Sequence, residues 1–508
     1  MTNEHDHQAN SLILKRLGID THQEAVVYMR ADCPICRSEG FQAHSRVQVI
    51  TPHRTIIATL NMIHDSLLSH HEAGLSEAAW KRLSPQEGET AFFAHAPSVT
   101  SLSAVRAKLY GHRLSDESLQ AIIQDVVGGK YTDIELSSFI SACVGDRLDR
   151  QEIIGLTKAM IQAGEKIHWE HPLIVDKHSI GGLPGNRTTP IVVAIVTAAG
   201  LIMPKTSSRA ITSPAGTADT MATLTNINLD LPTLQQVVEK EGGCLAWGGS
   251  IHLSPADDIL IRIERALDVD SEGQLVASIL SKKAAAGSTH VVIDMPVGPT
   301  AKVRTLEMAA VLKEHLEQTG KAIGLKVHVM MTDGTQPVGR GIGPALEALD
   351  VLSVLKREKD APQDLREKSL LLAAKIFTIA KVATQKESYE MAREILDEGR
   401  AWIKFQAICE AQGGFHFPQK AAFTHDVLAT TKGTVLTIDN RKLAKVAKLA
   451  GAPESGSAGI VLHSPLKQQV EKGKPLFTIH AETHGELNYA LNYVIAQNNI
   501  ITIVQEAE

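Results

Sequence analysis

The spacing of apolar residues changes three times along this chain, and each change predicts a different kind of element. Near the N-terminus, EAVVYMR (24–30), SRVQVI (45–50) and RTIIATLNMI (54–63) are valine- and isoleucine-rich strands, with CPICRSEGF (33–41) as a turn. From residue 115 the spacing becomes helical. Ser115 heads a stripe of Leu119, Ile122, Ile123 and Val126 that stops at Gly128-Gly129. Asp133 heads a second (Leu136, Phe139, Ile140, Cys143), and Asp149 a third (Ile153, Leu156, Met160). These stripes are packing surfaces.

Between 172 and about 425 strands and helices alternate. LIVDK (173–177), LIMPKT (201–206), HVVIDMPV (290–297) and LKVHVMMTDG (325–334) read as strands; 188–199, 304–319, 344–356 and 365–382 read as helices. Such alternation predicts an α/β domain with a mixed or parallel sheet, whose ligands sit beyond the carboxyl ends of the strands. The last part turns β-rich again, with KGTVLTI, AGIVLHS and GKPLFTIHAE around a helix, NRKLAKVAKLAG. The predicted domains are a β-rich one over 1–95, a connecting stretch, helices over 100–170, α/β structure over 171–257 and 288–425, and an α+β barrel-sandwich-like domain over 428–508.

Composition narrows the function. The 508 residues are 44% hydrophobic and 21% charged, as expected of a multidomain enzyme. Net charge is −6 without blocks of like charge, which argues against nucleic acid or an anionic membrane as partner. The first twenty residues carry no signal-peptide core, and the longest apolar run, Ile191 to Met203, is too short to span a bilayer. A cytoplasmic protein is expected. Five cysteines do not make a disulfide framework. Cys33 and Cys36 have metal-ligand spacing, with His44 and His53 as conceivable further ligands, but no second C-x-x-C accompanies them; two ordinary thiols are the simpler reading.

The chemistry concentrates in two segments, PLIVDKHSIGGLPGNR (172–187) and PKTSSRAITSPAGTADTM (204–221). The first empties a strand into Lys177-His178-Ser179-Ile180-Gly181-Gly182, offering a point charge, a hydroxyl donor and unshielded backbone N–H groups. The second adds Ser207, Ser208, Arg209, Thr212, Ser213, Gly216 and Thr217. An oxyanion such as phosphate needs such donors. Further on, Asp270, Ser278 and Lys282 are spaced to fall near one helical face, although Asp270 is equally a helix cap before Leu275–Leu280. P-loop, H-E-x-x-H and complete G-x-G-x-x-G motifs do not occur, and Gly339-x-Gly341-x-Gly343 reads as a turn opening a helix.

Together these segments resemble the thymidine/pyrimidine-nucleoside phosphorylase family, and LSPADD (253–258), ASILSKKAAAG (277–287), VVIDMPVG (291–298) and TDGTQPVGRGIGPALE (332–347) extend the resemblance in order. The KHSIGGLPGN and KTSSRAITSPAGTAD wording and the N-terminal appendage are similar to the branch that includes AMP phosphorylase. The resemblance implies the family's fold, a small helical domain that residues of about 258–287 later join, plus a large α/β domain, and a homodimer or higher oligomer. It also implies phosphorolysis of an N-glycosidic bond, with inorganic phosphate as co-substrate and no metal or organic cofactor.

By residue-by-residue match it assigns phosphate to Lys177, Ser179, Gly181, Gly182, Ser207 and Thr217. Ser208, Arg209, Ala210, Ile211, Thr212 and Ser213 complete the second loop. His178 is matched to a base-contacting histidine, Asp270 to the proton donor for the leaving base, and Ser278, Lys282 and Lys302 to further substrate contacts. Thymidine-type relatives use an arginine at a position that falls here on Ile263, between Arg262 and Arg265. The absence of that arginine, with extra hydroxyls, Arg209 and Lys302, favours a nucleoside 5′-monophosphate such as AMP; thymidine is the alternative. A magnesium-dependent phosphoribosyltransferase of the anthranilate type would need an acidic pair, and Asp257-Asp258 is the nearest. The C-terminal hammerhead-like segment lacks the M-K-M-type tip of biotin carriers and reads as structural.

Overall fold

In the computed structural model, which describes residues 11–505 apart from 211, 212, 252, 268, 270 and 498, the chain divides into two units. Met1–Arg147 with Ile259–Leu267 forms one, and Leu148–Asp258 with Asp268–Glu508 the other. The first opens with β1 Ser11–Arg16, β2 Val26–Arg30, α1 Pro34–Ser38, β3 Arg46–Ile50, β4 Thr55–Ile63, β5 Glu72–Leu75, α2 Glu77–Leu83 and β6 Thr90–His95. The six strands close into a barrel of mixed direction in the order β1-β5-β2-β4-β3-β6. Alternate residues such as Val27, Met29, Val47, Val49, Leu60 and Phe93 fill its interior. The CPIC segment is not only a turn. Proline at the first helical position and Cys33 as cap make it a short helix, with Cys33 Sγ accepting the Cys36 N–H at 3.2 Å.

Helices α3 Leu102–Leu109, α4 Asp116–Val127 and α5 Asp133–Ala142 follow. Ser115 caps α4 as its spacing predicts. The cap of α5, however, is Thr132, in a reciprocal box with Glu135. Asp133 instead takes both guanidinium nitrogens of Arg262 at 2.7 and 2.6 Å.

The second unit starts with α6 Arg150–Gln162, capped by Asp149. Strand β7 Val175–Ser179 then leads to α7 Thr188–Ala198, β8 Met203–Ser207, α8 Thr217–Ala222, α9 Leu231–Glu241 and β9 Gly243–Trp247. Next come α10 Pro255–Leu267, which belongs to the first unit from Ile259 on, then α11 Glu272–Ala285, β10 His290–Val297, α12 Leu306–Ala322 and β11 Lys326–Asp333. Strands β11, β10 and β7 run parallel in one ladder, and β8 with β9 in another. Among the described residues a single parallel bridge, Ile174 to Ile202, links the two. Helix α7 is apolar on every side because it is buried on every side, so the longest apolar run is a core helix. Among the described residues no helix is long and apolar enough to cross a membrane.

β12 Gly341–Ile342, α13 Pro344–Lys356, α14 Gln363–Ile379, α15 Gln385–Asp397 and α16 Arg400–Ala411 complete the α/β part. Gly343 opens α13, as its spacing predicts. The chain ends with β13 Phe423–Leu428, β14 Gly433–Ile438, α17 Asn440–Leu449, β15 Gly459–Leu462, β16 Gln469–Val470, β17 Pro475–Ala481, α18 His484–Ala496 and β18 Ile501–Val504. They form the sheets β12-β15-β17-β13 and β16-β14-β18.

Candidate active site

Alternation along β7 sends Asp176 and His178 to one side of the sheet and Lys177 and Ser179 to the other. On the first side, the Asp176 carboxylate lies 3.2 Å from Lys205 Nζ and 2.8 Å from Lys283 Nζ, and all three residues are buried. Burial alone would raise the Asp176 pKa, but the two lysines outweigh it and hold it below the usual carboxylate range. Burial drives Lys205 down to about 7 against the attraction of Asp176. Burial first, then the nearby charges of Lys283, Lys205, Lys282 and Lys177, push the His178 pKa well below the usual value, so its imidazole is neutral.

On the other side, Lys177 is 1% exposed and donates to Thr188 and Thr189 Oγ1, 2.8 and 3.3 Å away in the first turn of α7. Its charge therefore lies beneath the glycine loop rather than on its surface. Burial lowers its pKa to about 8, against the attraction of Asp294. Ser179 Oγ donates to Asp294 Oδ2 at 3.2 Å, beside Asn186 Nδ2 at 3.0 Å on the same oxygen.

Beyond Ser179 the backbone turns left-handed at Gly181 and Gly182, with φ of +86° and +76°. A Cβ on Gly182 would stand 2.5 Å from Lys302 Cβ, so the segment carrying Lys302 packs directly on the loop. Gly181 has no such neighbour, and its Cβ direction is open. Arg187, at the loop's far end, ties the two segments together. It reaches Glu347 Oε2 at 2.6 Å, Thr217 Oγ1 at 2.6 Å and the Ala215 carbonyl at 2.9 Å. Burial pushes Glu347 up to about 7 despite this partner.

The second segment wraps the start of α8. Asp219 accepts the Ala210 and Gly216 N–H groups at 2.6 and 2.9 Å and holds Arg209 at 3.3 Å. Arg209 also lies 5.1 Å above the Trp247 ring, leaving its guanidinium half-exposed next to Ser208. Ser207 ends β8 with a hydroxyl that is buried and without a partner among the described residues. Ser213 donates to the Ala215 carbonyl at 3.0 Å. Ile211 and Thr212 lie outside the described residues.

Ser278 and Lys282 sit one turn apart on α11. Lys282 is paired to Asp257 at 2.5 Å, and its charge is felt at His178. Ser271 caps α11; Asp270 lies outside the described residues. Arg262 is held by Asp133, and Ile263 is buried. The sequence reading missed Asp176, Arg187, Lys205, Asp219, Lys283, Asp294, Glu347 and Lys368. A signal existed for several: a charge inside an apolar strand run, as in LIVDK or VVIDMPV, must be paired once the strand is buried. Among the described residues no three His, Cys, Asp or Glu are grouped to hold a metal ion.

The parallel sheet and its helices have the fold of anthranilate phosphoribosyltransferases. Anthranilate phosphoribosyltransferase from Thermus thermophilus superposes with a TM-score of 0.51 at 19% identity, covering 61% of this chain and 99% of that one. The enzyme from Saccharomyces cerevisiae, in complex with PRPP and Mg, gives 0.51 at 16%, covering 62% and 98%. Residues 102–164 and 171–402 match the helical bundle domain and the a/b domain of the glycosyl transferase family, and 434–501 match the pyrimidine nucleoside phosphorylase C-terminal domain. The chain is 57% identical over 500 residues to a protein of Hahella chejuensis named "Putative thymidine phosphorylase", covering 98% of this chain and 99% of that one. It is 58% identical over 494 residues to "Putative thymidine phosphorylase 2" of Acidovorax sp., covering 97% and 96%. The chain belongs to this glycosyl transferase family, alongside these thymidine phosphorylase relatives, and is a pentosyltransferase.

Proposed function

We propose that the enzyme uses inorganic phosphate to cleave the N-glycosidic bond of a nucleoside 5′-monophosphate such as AMP, releasing the free base and ribose 1,5-bisphosphate. The observation that supports phosphorolysis best is the buried Lys177 ammonium beneath a loop of Ser179 and two left-handed glycines. The orphaned Ser207 hydroxyl adds a donor from β8. A phosphate oxygen attacks the anomeric carbon as the bond to the base nitrogen breaks. Charge on the phosphate is met by the Lys177 ammonium and by the hydroxyl and backbone N–H donors of the two loops. The neutral imidazole of His178 suits a hydrogen bond to the base. Asp270 gives the departing nitrogen its proton. These steps need neither a metal ion nor an organic cofactor.

The nucleotide reading draws on Arg209. Clamped between Asp219 and Trp247, its guanidinium is preorganised for a phosphate, with Lys302 on the neighbouring loop as a second cation. Thymidine is the second reading, favoured by the names of the relatives.

Purified enzyme with EDTA, assayed with AMP, CMP, UMP and thymidine with and without phosphate, decides between them. Base release that ignores phosphate overturns phosphorolysis. A site built around a 5′-phosphate loses roughly 100-fold or more in kcat/KM when that group is missing. Faster turnover of thymidine than of every monophosphate overturns the nucleotide assignment.

A further inference from the structure

Four side chains from different parts of the chain converge on one buried carboxylate, Asp294 of β10. Lys368 Nζ of α14 lies 3.1 Å from Oδ2, which also accepts Asn186 Nδ2 at 3.0 Å and Ser179 Oγ at 3.2 Å. Thr332 Oγ1 donates to Oδ1 at 2.6 Å. The Asp294 backbone carbonyl accepts the Ile180 N–H at 3.0 Å, so this residue also fixes where the glycine loop begins.

Lys368 is 8% exposed, and its ammonium makes this ion pair without a directed hydrogen bond. Asp333, exposed at the end of β11, is the other carboxylate in its field. Two buried ammoniums, Lys177 and Lys368, thus act on the single buried charge of Asp294.

Ser179 has one proton to give. While Asp294 holds it, the serine turns lone pairs rather than a donor toward an incoming anion. Lys368 approaches the same Oδ2 and weakens that hold. We infer that Lys368 and Asp294 are a positioning pair for the phosphate loop, in which Lys368 neutralises Asp294 so that Ser179 can donate to phosphate. The inference rests on the phosphorolytic reading above.

Lys368→Met, Asp294→Asn and the double variant test it. In Lys368→Met the KM for phosphate is expected to rise roughly ten-fold or more, the scale of one hydrogen bond to a charged group, while the KM for the nucleotide or nucleoside stays within about two-fold. The double variant, with no charge left to hold the serine proton, is expected to return to within about three-fold of wild type. A folded Lys368→Met enzyme with unchanged phosphate KM overturns the inference, as does a parallel rise in both KM values. If Lys368→Met does not fold, the double variant decides, and a phosphate KM raised ten-fold there overturns it. Phosphate binding is also read from the phosphate-induced rise in Tm, which needs no turnover. Wild-type enzyme without phosphate-dependent base release defeats the functional reading; a variant series without selective loss of phosphate affinity defeats the pair.

Discussion

Lys282 Nζ stands 2.5 Å from Asp257 Oδ2, joining the last turn of α11 to the first turn of α10. The lysine matched to a substrate contact is therefore half of an ion pair before any substrate arrives. Its partner is one of the two adjacent acids that a magnesium-dependent transferase would use, and that acid is already committed.

Lys282→Met leaves the buried Asp257 carboxylate without its partner. The expected loss is about 3 kcal/mol of unfolding free energy, most of it recovered in Lys282→Met/Asp257→Asn. Chemical denaturation of the three variants measures this. Equal losses in the single and double variants contradict the pairing.

Lys177→Ala is expected to lower kcat/KM roughly 100-fold, the scale of one lost preorganised electrostatic contact. In the free wild-type enzyme, kcat/KM for phosphate should fall as pH rises through about 8, where Lys177 loses its proton. Its contribution to stability runs the other way. The folded pKa lies below the unfolded value, so between about 8 and 10.5 the unfolded chain binds more protons and this residue's contribution to stability rises with pH. A Lys177→Met enzyme that keeps the wild-type pH profile in both measurements refutes the assignment.

Gly216→Ala would place a Cβ 2.6 Å from the Ser208 carbonyl oxygen and 2.7 Å from the Ala210 nitrogen. The 207–210 loop must shift, and a loss of about 1–3 kcal/mol with at least a ten-fold drop in kcat/KM is expected. At Gly181 no neighbour is struck, and Gly181→Ala pays only the left-handed backbone, about 1 kcal/mol. Melting curves and kinetics of the two variants should rank in that order.

Asp270→Asn should keep substrate affinity and lower kcat by roughly 100-fold or more, since general acid catalysis is what it removes. Unchanged kcat across the pH range excludes the proton-donor role.

Much of the fold was legible because apolar period and chemistry coincide. Pro344 and the residues to Lys356 carry a helix that the structure reproduces, and HVVIDMPV is β10 residue for residue. The barrel was half legible. SLILKR, EAGL and TAFFAH become β1, β5 and β6 by pairing with distant strands, and such short segments carry too little pattern of their own. In the site, the motif loops announced themselves through glycine and hydroxyl clusters. Their supports did not. Asp176, Lys205 and Lys283 are separated by up to about a hundred residues in sequence, and only the parallel ladders and the packing of α11 bring them together.

One bridge, Ile174 to Ile202, is the seam between the ladder that carries Ser179 and the ladder that carries Ser207. Each loop thus takes its register from its own strands. What crosses the seam is side chains: Arg187, at the end of the first loop, holds Thr217 Oγ1 and the Ala215 carbonyl of the second, so an insertion in the 207–217 segment shifts Ser207 and Thr217 relative to Ser179 unless that arginine follows. The alignment of the two loops is thus carried by side chains rather than by the sheet.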